Sequence, residues 1–156
     1  MGDLLMAANV ETIEASLVAA LGGLSGWYKS RYAYELLGFD ANSLVSKTWA
    51  VGFPTTDFTD TARRRTNGAA GETGARVRTE ARIRWLVRIR ADNQASDIST
   101  AYGLERDLIQ AANGLSVSGI GTVAVERITR RIAPTDPSFR ISELQISIQH
   151  LYAVAG

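Results

Sequence analysis

The stretch VRTEARIRWLVRIRA, residues 77–91, decides the fold. Its odd-numbered positions are apolar or small, namely Val77, Thr79, Ala81, Ile83, Trp85, Val87 and Ile89. The even-numbered positions, counted from residue 76, are mostly charged, namely Arg76, Arg78, Glu80, Arg82, Arg84, Leu86, Arg88 and Arg90. Strict alternation predicts a β-strand with one dry face and one polar face. An α-helix would scatter the same arginines around its whole circumference.

The polar face of this strand carries a row of like charges. Same-face neighbours on a strand lie about 6.6 Å apart. Each adjacent like pair repels by about 2.5 kcal/mol at an effective dielectric near 20, and by about 0.6 kcal/mol in bulk water. The face must therefore stay wet or meet acceptors. We predict that carboxylates or carbonyl oxygens, across strands or subunits, contact Arg78, Arg82, Arg84 and Arg88; a solvated face is the alternative.

Composition limits the class of protein. At 156 residues with a net charge of +1, the chain is expected to form one α+β domain, residues 1–156. Arginine makes up all but two of its seventeen basic residues, a choice suited to paired, planar recognition. The absence of cysteine excludes disulfides, thiolate catalysis and cysteine-ligated metals. The sequence has no apolar run of membrane-spanning length. Its first residues carry acids where a signal peptide needs bases, so we expect a cytoplasm-like compartment.

Two amphipathic helices and three further strands are predicted around the arginine strand. Asn9 is expected to cap the first helix, and Ser96 or Asp97 the second, which stops at Asn113-Gly114. A short helix is expected at 31–37, ending at Gly38. Strands are expected at 44–53, closed by Pro54, at 122–132 and at 139–152. The predicted architecture is a four-stranded, mostly antiparallel sheet with both main helices packed on its apolar face.

Residues 55–75, TTDFTDTARRRTNGAAGETGA, are predicted to be one long loop. Loops of this length inside a compact domain are usually functional or mobile. Its glycines suggest flexibility in the free subunit, and Arg63, Arg64 and Arg65 offer charge-assisted donors to a partner surface. A phosphate-binding loop is not indicated, because no Gly-Lys-Ser/Thr motif follows.

The sequence offers no constellation for catalysis. The single histidine, His150, falls on the apolar face of the last strand, where a buried structural role is expected. No second histidine or cysteine is present to complete a metal site, and the carboxylates show no spacing typical of a catalytic pair. We therefore expect a non-enzymatic protein without a cofactor or metal.

Nucleic-acid binding is a separate alternative, because a four-stranded sheet with two helices is also the plan of a common RNA-binding module. That module stacks bases on aromatic side chains exposed on the open face of its sheet. Here Trp85 falls on the dry face, and the Lys/Arg-Gly-Phe/Tyr signature is absent. Phosphate contact through the arginine row alone stays open, although no specific nucleic acid is expected.

The layout resembles the tail terminator (tail completion) proteins of long-tailed bacteriophages. The resemblance rests on an N-terminal amphipathic helix, a strand ending in Phe53-Pro54, and the long strand ARIRWLVRIRA. It continues through an Asp-containing loop, the helix DISTAYGLERDLIQAAN and the paired strands TVAVERITRRI and FRISELQISIQHLY. It is a resemblance of layout that covers most of the chain, since this family has no short diagnostic motif.

The resemblance implies a small α+β domain without catalytic residues that assembles into a ring, typically a hexamer. Such a ring caps the tail tube and joins it to the head, so the implied partners are further copies of the chain, the tail tube protein and a head–tail connector protein. The implied location is the virion, with the host cytoplasm during assembly. Another small head–tail connector, or neck, protein is the alternative.

A ring at the end of a tube requires head-to-tail contacts between unlike surfaces. One surface is expected to be the arginine-rich sheet face with the 55–75 loop. For the other, acidic surface the candidates are Glu11, Glu14 and Glu35 in the N-terminal third.

Overall fold

The computed structural model describes residues 9–58, 65–67, 73–115 and 120–153. Helix α1 spans Val10–Gly22 and helix α2 spans Gln94–Asn113. The strands are β1 (Tyr28–Lys29), β2 (Thr48–Asp57), β3 (Arg65–Asn67), β4 (Thr73–Arg88), β5 (Ile120–Ile132) and β6 (Phe139–Ala153). The two short strands and the four long ones form one sheet.

The sheet is organised around β4. The strand order is β1-β2-β4-β6-β5, and β3 pairs with β4 beyond the end of β2. All pairings between the long strands are antiparallel, and β1 runs parallel to β2. The prediction was therefore right about the four long antiparallel strands. Its strand count was wrong, since the described residues form six strands; β1 and β3 are too short to show any alternation.

The core on one face of the sheet follows the alternation of β4. Every odd-numbered position from Val77 to Ile89 is buried. Helix α1 packs Ile13, Leu17 and Leu21 against this face, and α2 packs Leu108 and Ala112. Burying a large apolar side chain fully contributes about 1.5–3 kcal/mol, so this cluster holds both helices on the same face, as predicted.

The opposite face of the sheet is partly covered by the chain itself. Residues 30–47, between β1 and β2, fold across it and build a second buried cluster of Leu37, Ala50, Leu86, Ala133, Phe139 and Ile141. Gly38 lies against this cluster with φ +89°, and a Cβ there would come within 2.8 Å of the Ile141 side chain. The helix expected at 31–37 is not formed. Hydrogen-bonded turns take its place, with the Leu37 amide donating to the Ala33 carbonyl at 3.1 Å.

Strand β2 begins later and ends later than predicted. It cannot begin at residue 44 because Lys47 has φ 63°, a left-handed conformation that interrupts extended backbone. It continues past Pro54 to Asp57, with a register shift against β4 between Gly52 and Thr55. Proline is tolerated at such an irregularity in a strand near the sheet edge.

The long loop and the cap of the second helix also need correction. Residues 55–57 belong to β2, 65–67 to β3 and 73–75 to β4, because the chain goes on pairing with β4 beyond the expected strand ends. The rest of 55–75, apart from Phe58, lies outside the described residues. Helix α2 starts at Gln94 after a short 3-10 turn, with Asn93 as its N-cap residue. Asp97 therefore lies in the first turn of α2 rather than at its cap.

Candidate subunit-interface site

Arg84 lies at the centre of the arginine row and is 7% exposed. Its Nε donates to Glu143 Oε2 at 3.0 Å, and its Nη2 forms an ion pair with the same oxygen at 2.9 Å. Its Nη1 donates to the Tyr34 carbonyl oxygen at 2.7 Å. A carboxylate on the neighbouring strand and a carbonyl thus satisfy Arg84, as predicted, and both belong to the same chain.

Two aromatic rings from residues 30–47 complete this network. The Arg84 guanidinium carbon lies 4.1 Å from the Tyr34 ring centroid and 4.8 Å from that of Phe39. The Tyr34 hydroxyl donates to Glu143 Oε2 at 2.7 Å. Burial, followed by this hydrogen bond, raises the pKa of Tyr34 above its ordinary value. The Tyr34 ring lies directly over Gly52, where a Cβ would come within 2.6 Å of it.

Arg82 extends the network toward the uncovered half of the face. Its Nε hydrogen-bonds Glu80 on the same strand, and its Nη1 lies 3.5 Å from Glu143 Oε1. Acids therefore offset the repulsion between the neighbouring arginines of this row. Sequence reasoning placed Glu143 on the polar face but did not pair it with any residue.

Arg78 and Arg88 behave differently. Both are exposed, and neither forms an ion pair with another residue of the described chain. Arg88 lies 5.9 Å from the Phe139 ring centroid. For these two arginines the described residues show no ion pair, and their predicted contact with carboxylates or carbonyl oxygens is not tested. Contact with a neighbouring subunit stays a prediction.

The remaining predicted interface residues are scattered. Glu11 and Glu14 are exposed on α1, and Glu35 is exposed in the segment over the sheet. Arg63 and Arg64 lie outside the described residues, and of Arg65 only the backbone is described, pairing with Ala75. The structure therefore brings Arg82 and Arg84 together with acids, but it does not gather the predicted set into one surface.

A second ion pair, which the sequence did not reveal, links β5 to α2. The Arg130 guanidinium binds Glu105 through two hydrogen bonds, of 2.8 and 2.6 Å, and its carbon lies 5.4 Å from the Tyr102 ring centroid. Glu105 is buried although it sits mid-helix. These residues line a small cavity of about 80 Å³, together with Arg140 and Ile98. The sequence did contain a sign of this ion pair, because Glu105 is an acid among the apolar positions of α2.

A groove lies at the opposite edge of the sheet, between α1 and the outer side of β2. Its volume is about 540 Å³, and its apolar wall includes Val18, Val51 and Phe53. Charged side chains line its rim, namely Glu14, Lys29, Arg31 and Glu35. Residues of α1, of β2 and of the segment that covers the sheet all line this groove.

His150 is buried on the helix-bearing face, where a structural role was expected. Its Nε2 lies 2.7 Å from Thr79 Oγ1, which in turn lies 3.0 Å from Thr56 Oγ1. The arrangement satisfies polar groups inside the core.

The part of the chain that the structure describes contains no cluster of three or more metal-binding side chains. Over the same residues, no helix combines the length and apolar content needed to cross a bilayer.

The chain is similar in structure to a protein of a phage-like particle. No protein-family model matches the chain, and no curated protein matches it. A chain in a solved structure described as "Virion of native gene transfer agent (GTA) particle" is similar at 14% sequence identity, with a TM-score of 0.36. The match covers 86% of this chain and 84% of that one.

Proposed function

We propose that this chain is a structural virion protein that forms a ring at the end of a phage tail tube and joins the tube to the head. The observation that carries the proposal is the order of elements. A helix, a strand, the long arginine strand, a second helix and a final strand pair follow one another as in the tail terminator layout that the sequence resembles. The antiparallel sheet with both helices on one face agrees with that layout.

The distribution of charge supports a role in assembly rather than chemistry. Three side chains that could carry proton transfer, Glu105, Glu143 and His150, are buried or partly buried and engaged within the fold. Glu143 is bound by Arg84 and Tyr34, and Glu105 is bound by Arg130. His150 lies inside the core. The exposed features are instead a polar half-face of the sheet and two unlike sheet edges, which suit contacts between copies.

Mass measurement is the first test of the ring. Native mass spectrometry of the purified chain is expected to show a closed oligomer of six 16.8 kDa subunits. If the purified chain is monomeric, the same measurement on a complex with the tube protein decides. Cryo-electron microscopy of tailed particles is then expected to place the ring between tube and head. A twofold dimer as the final state, or one copy per particle, contradicts the proposal.

A further inference from the structure

The outer edge of β5 is an open strand edge in the part of the chain that the structure describes. Strand β5 has thirteen residues and is hydrogen-bonded to β6 on one side. Among the described residues no strand lies on its other side. Most of its side chains from Gly121 to Ile132 are exposed. Val125 and Ile132 are 41% and 53% exposed although they point to the helix-bearing face, whose core they would extend. A long strand edge with exposed apolar side chains is a template for pairing with another strand.

The opposite edge of the sheet is open as well. Strand β1 covers β2 only at Thr48 and Trp49, so within the described chain β2 has no outer partner from Val51 to Asp57. The groove of about 540 Å³ runs beside this free portion. Its apolar wall, which includes Val51 and Phe53, packs against the same helix-side core as Val123 and Ile128 of β5.

We infer that β5 of one subunit adds to the free edge of β2 in the next subunit, so that neighbouring sheets join side by side. The directions of the strands agree with this. Each long strand runs antiparallel to its neighbour, and β5 therefore runs antiparallel to β2. When an identical copy is placed at the sheet edge in the same orientation, its β2 meets β5 as an antiparallel partner, and the alternation continues.

The side chains at the two edges match. On the helix side, Val125 would cover the apolar wall formed by Val51 and Phe53. On the polar face, Arg127 and Arg131 of β5 would approach Glu35 on the rim of the groove, while Glu126 of β5 offers an acid to Lys29 and Arg31 on the same rim. Arg130 points to the other face and stays bound to Glu105 of its own subunit. This contact is heterologous, as a ring requires.

The same edge carries features that keep a free subunit from aggregating. Strand β5 has register shifts against β6 between Ile120 and Thr122 and between Val125 and Arg127. Bulges and arginines on an edge strand discourage unspecific pairing. A partner must therefore match both the irregular backbone and the charges.

Cross-linking tests the contact directly, because the chain has no native cysteine. One cysteine is placed on β5 as Ala124→Cys and one on β2 as Thr55→Cys, both at exposed positions on the polar face. With a short bismaleimide, the double variant is expected to give a ladder of covalent multimers. Each single variant is expected to give no covalent multimer on a denaturing gel. The control is the double variant Asp107→Cys with Thr135→Cys, two exposed positions outside both edge strands, and it is expected to give no ladder.

The outcomes separate this inference from the proposed function on which it rests. A covalent dimer from Ala124→Cys alone means twofold β5–β5 pairing, and it overturns the inference. A ring by native mass with no ladder from the double variant also overturns it, while leaving the ring itself intact. No oligomer at any concentration, alone or with the tube protein, removes both the edge contact and the proposed function.

A charged substitution at Val125 of β5 gives a second test of the edge contact. Val125→Glu is expected to leave the fold unchanged, because the side chain is 41% exposed in the subunit. It is expected to weaken subunit association at least tenfold, since the edge contact would bury the new carboxylate. The matched control Ala15→Glu places the same charge on an exposed position of α1. Equal association for both variants contradicts the edge contact.

Discussion

Arg84 shows how a single residue turns a repulsive row of charges into a stabilising one. Its guanidinium is buried against Tyr34 and Phe39, and Glu143 balances its charge. A buried ion pair is weak evidence for stability by itself, but removing one partner leaves an uncompensated buried charge. The network is therefore sensitive to loss of the arginine.

We expect Arg84→Ala to lower the free energy of unfolding by about 2–4 kcal/mol, measured by chemical denaturation. Breaking a buried pair costs about 3–5 kcal/mol, and here Arg82 and Tyr34 still contact Glu143. The control is Arg88→Ala, an exposed arginine on the same face, for which a change within about 0.5 kcal/mol is expected.

Removing the charges of both Arg84 and Glu143 separates the contribution of the ion pair to stability from that of side-chain packing. The double variant Arg84→Leu with Glu143→Leu is expected to be more stable than Arg84→Ala alone, because no buried carboxylate is left with reduced compensation. A double variant that is less stable than the single one would mean that packing of the arginine against the aromatic rings dominates. Equal stability of Arg84→Ala and Arg88→Ala would mean that the network contributes nothing.

At the scale of elements, the start of α2 is fixed to the end of the arginine strand by Asp97. Its carboxylate accepts hydrogen bonds from the Arg90 backbone amide at 2.9 Å and from Arg90 Nε at 3.1 Å. These bonds hold the pKa of Asp97 below its ordinary value, and the bond from the Arg90 side chain has the larger effect. An acid in the first helical turn also interacts favourably with the helix dipole.

We expect Asp97→Asn to destabilise the protein at neutral pH, with a difference that disappears in acid. A carboxyl whose folded pKa is depressed stabilises the fold above its unfolded pKa, near 4. That contribution is lost as the pH falls through the lower pKa of the folded state. Thermal melts between about pH 7 and pH 2 measure it, and Asp107→Asn, exposed on the same helix, is the charge control. A pH-independent difference would assign the effect to something other than ionisation.

The elements that the sequence predicted well are those in which a regular hydrophobic pattern continues over many residues. The alternation of the arginine strand and the stripe of the first helix each repeat over several turns or residues, so one packing surface sets the whole pattern. Residues 30–47 show no regular hydrophobic pattern. The way this segment folds over the sheet depends on contacts with residues far away in the sequence. Leu86 and Ile141 were the available signal, since both are apolar positions on a face otherwise lined with charges. The pairing of Arg84 with Glu143 depends on strand register, which the sequence alone did not provide.

At the scale of the whole molecule, the arginine face is closer to electrically balanced than its sequence suggests. Glu80 and Glu143 pair with Arg82 and Arg84, and residues 30–47 cover Arg84. Exposed arginines remain, such as Arg78, but the net charge of the chain is only +1. A protein that binds nucleic acid through phosphates needs several uncompensated cations on one surface.

We therefore expect at most weak binding of duplex DNA, with a shallow dependence on salt. Each phosphate neutralised by a protein contributes about −0.9 to the slope of log K against log salt concentration. Arg78 and Arg88 of the arginine strand alone would give a slope of about −2, whereas a binder that uses the whole row would reach about −5 or steeper. Fluorescence anisotropy with a labelled duplex, from low to physiological salt, measures the slope. A steep slope that Arg78→Ala reduces by about one unit would favour the nucleic-acid alternative over a tail connector.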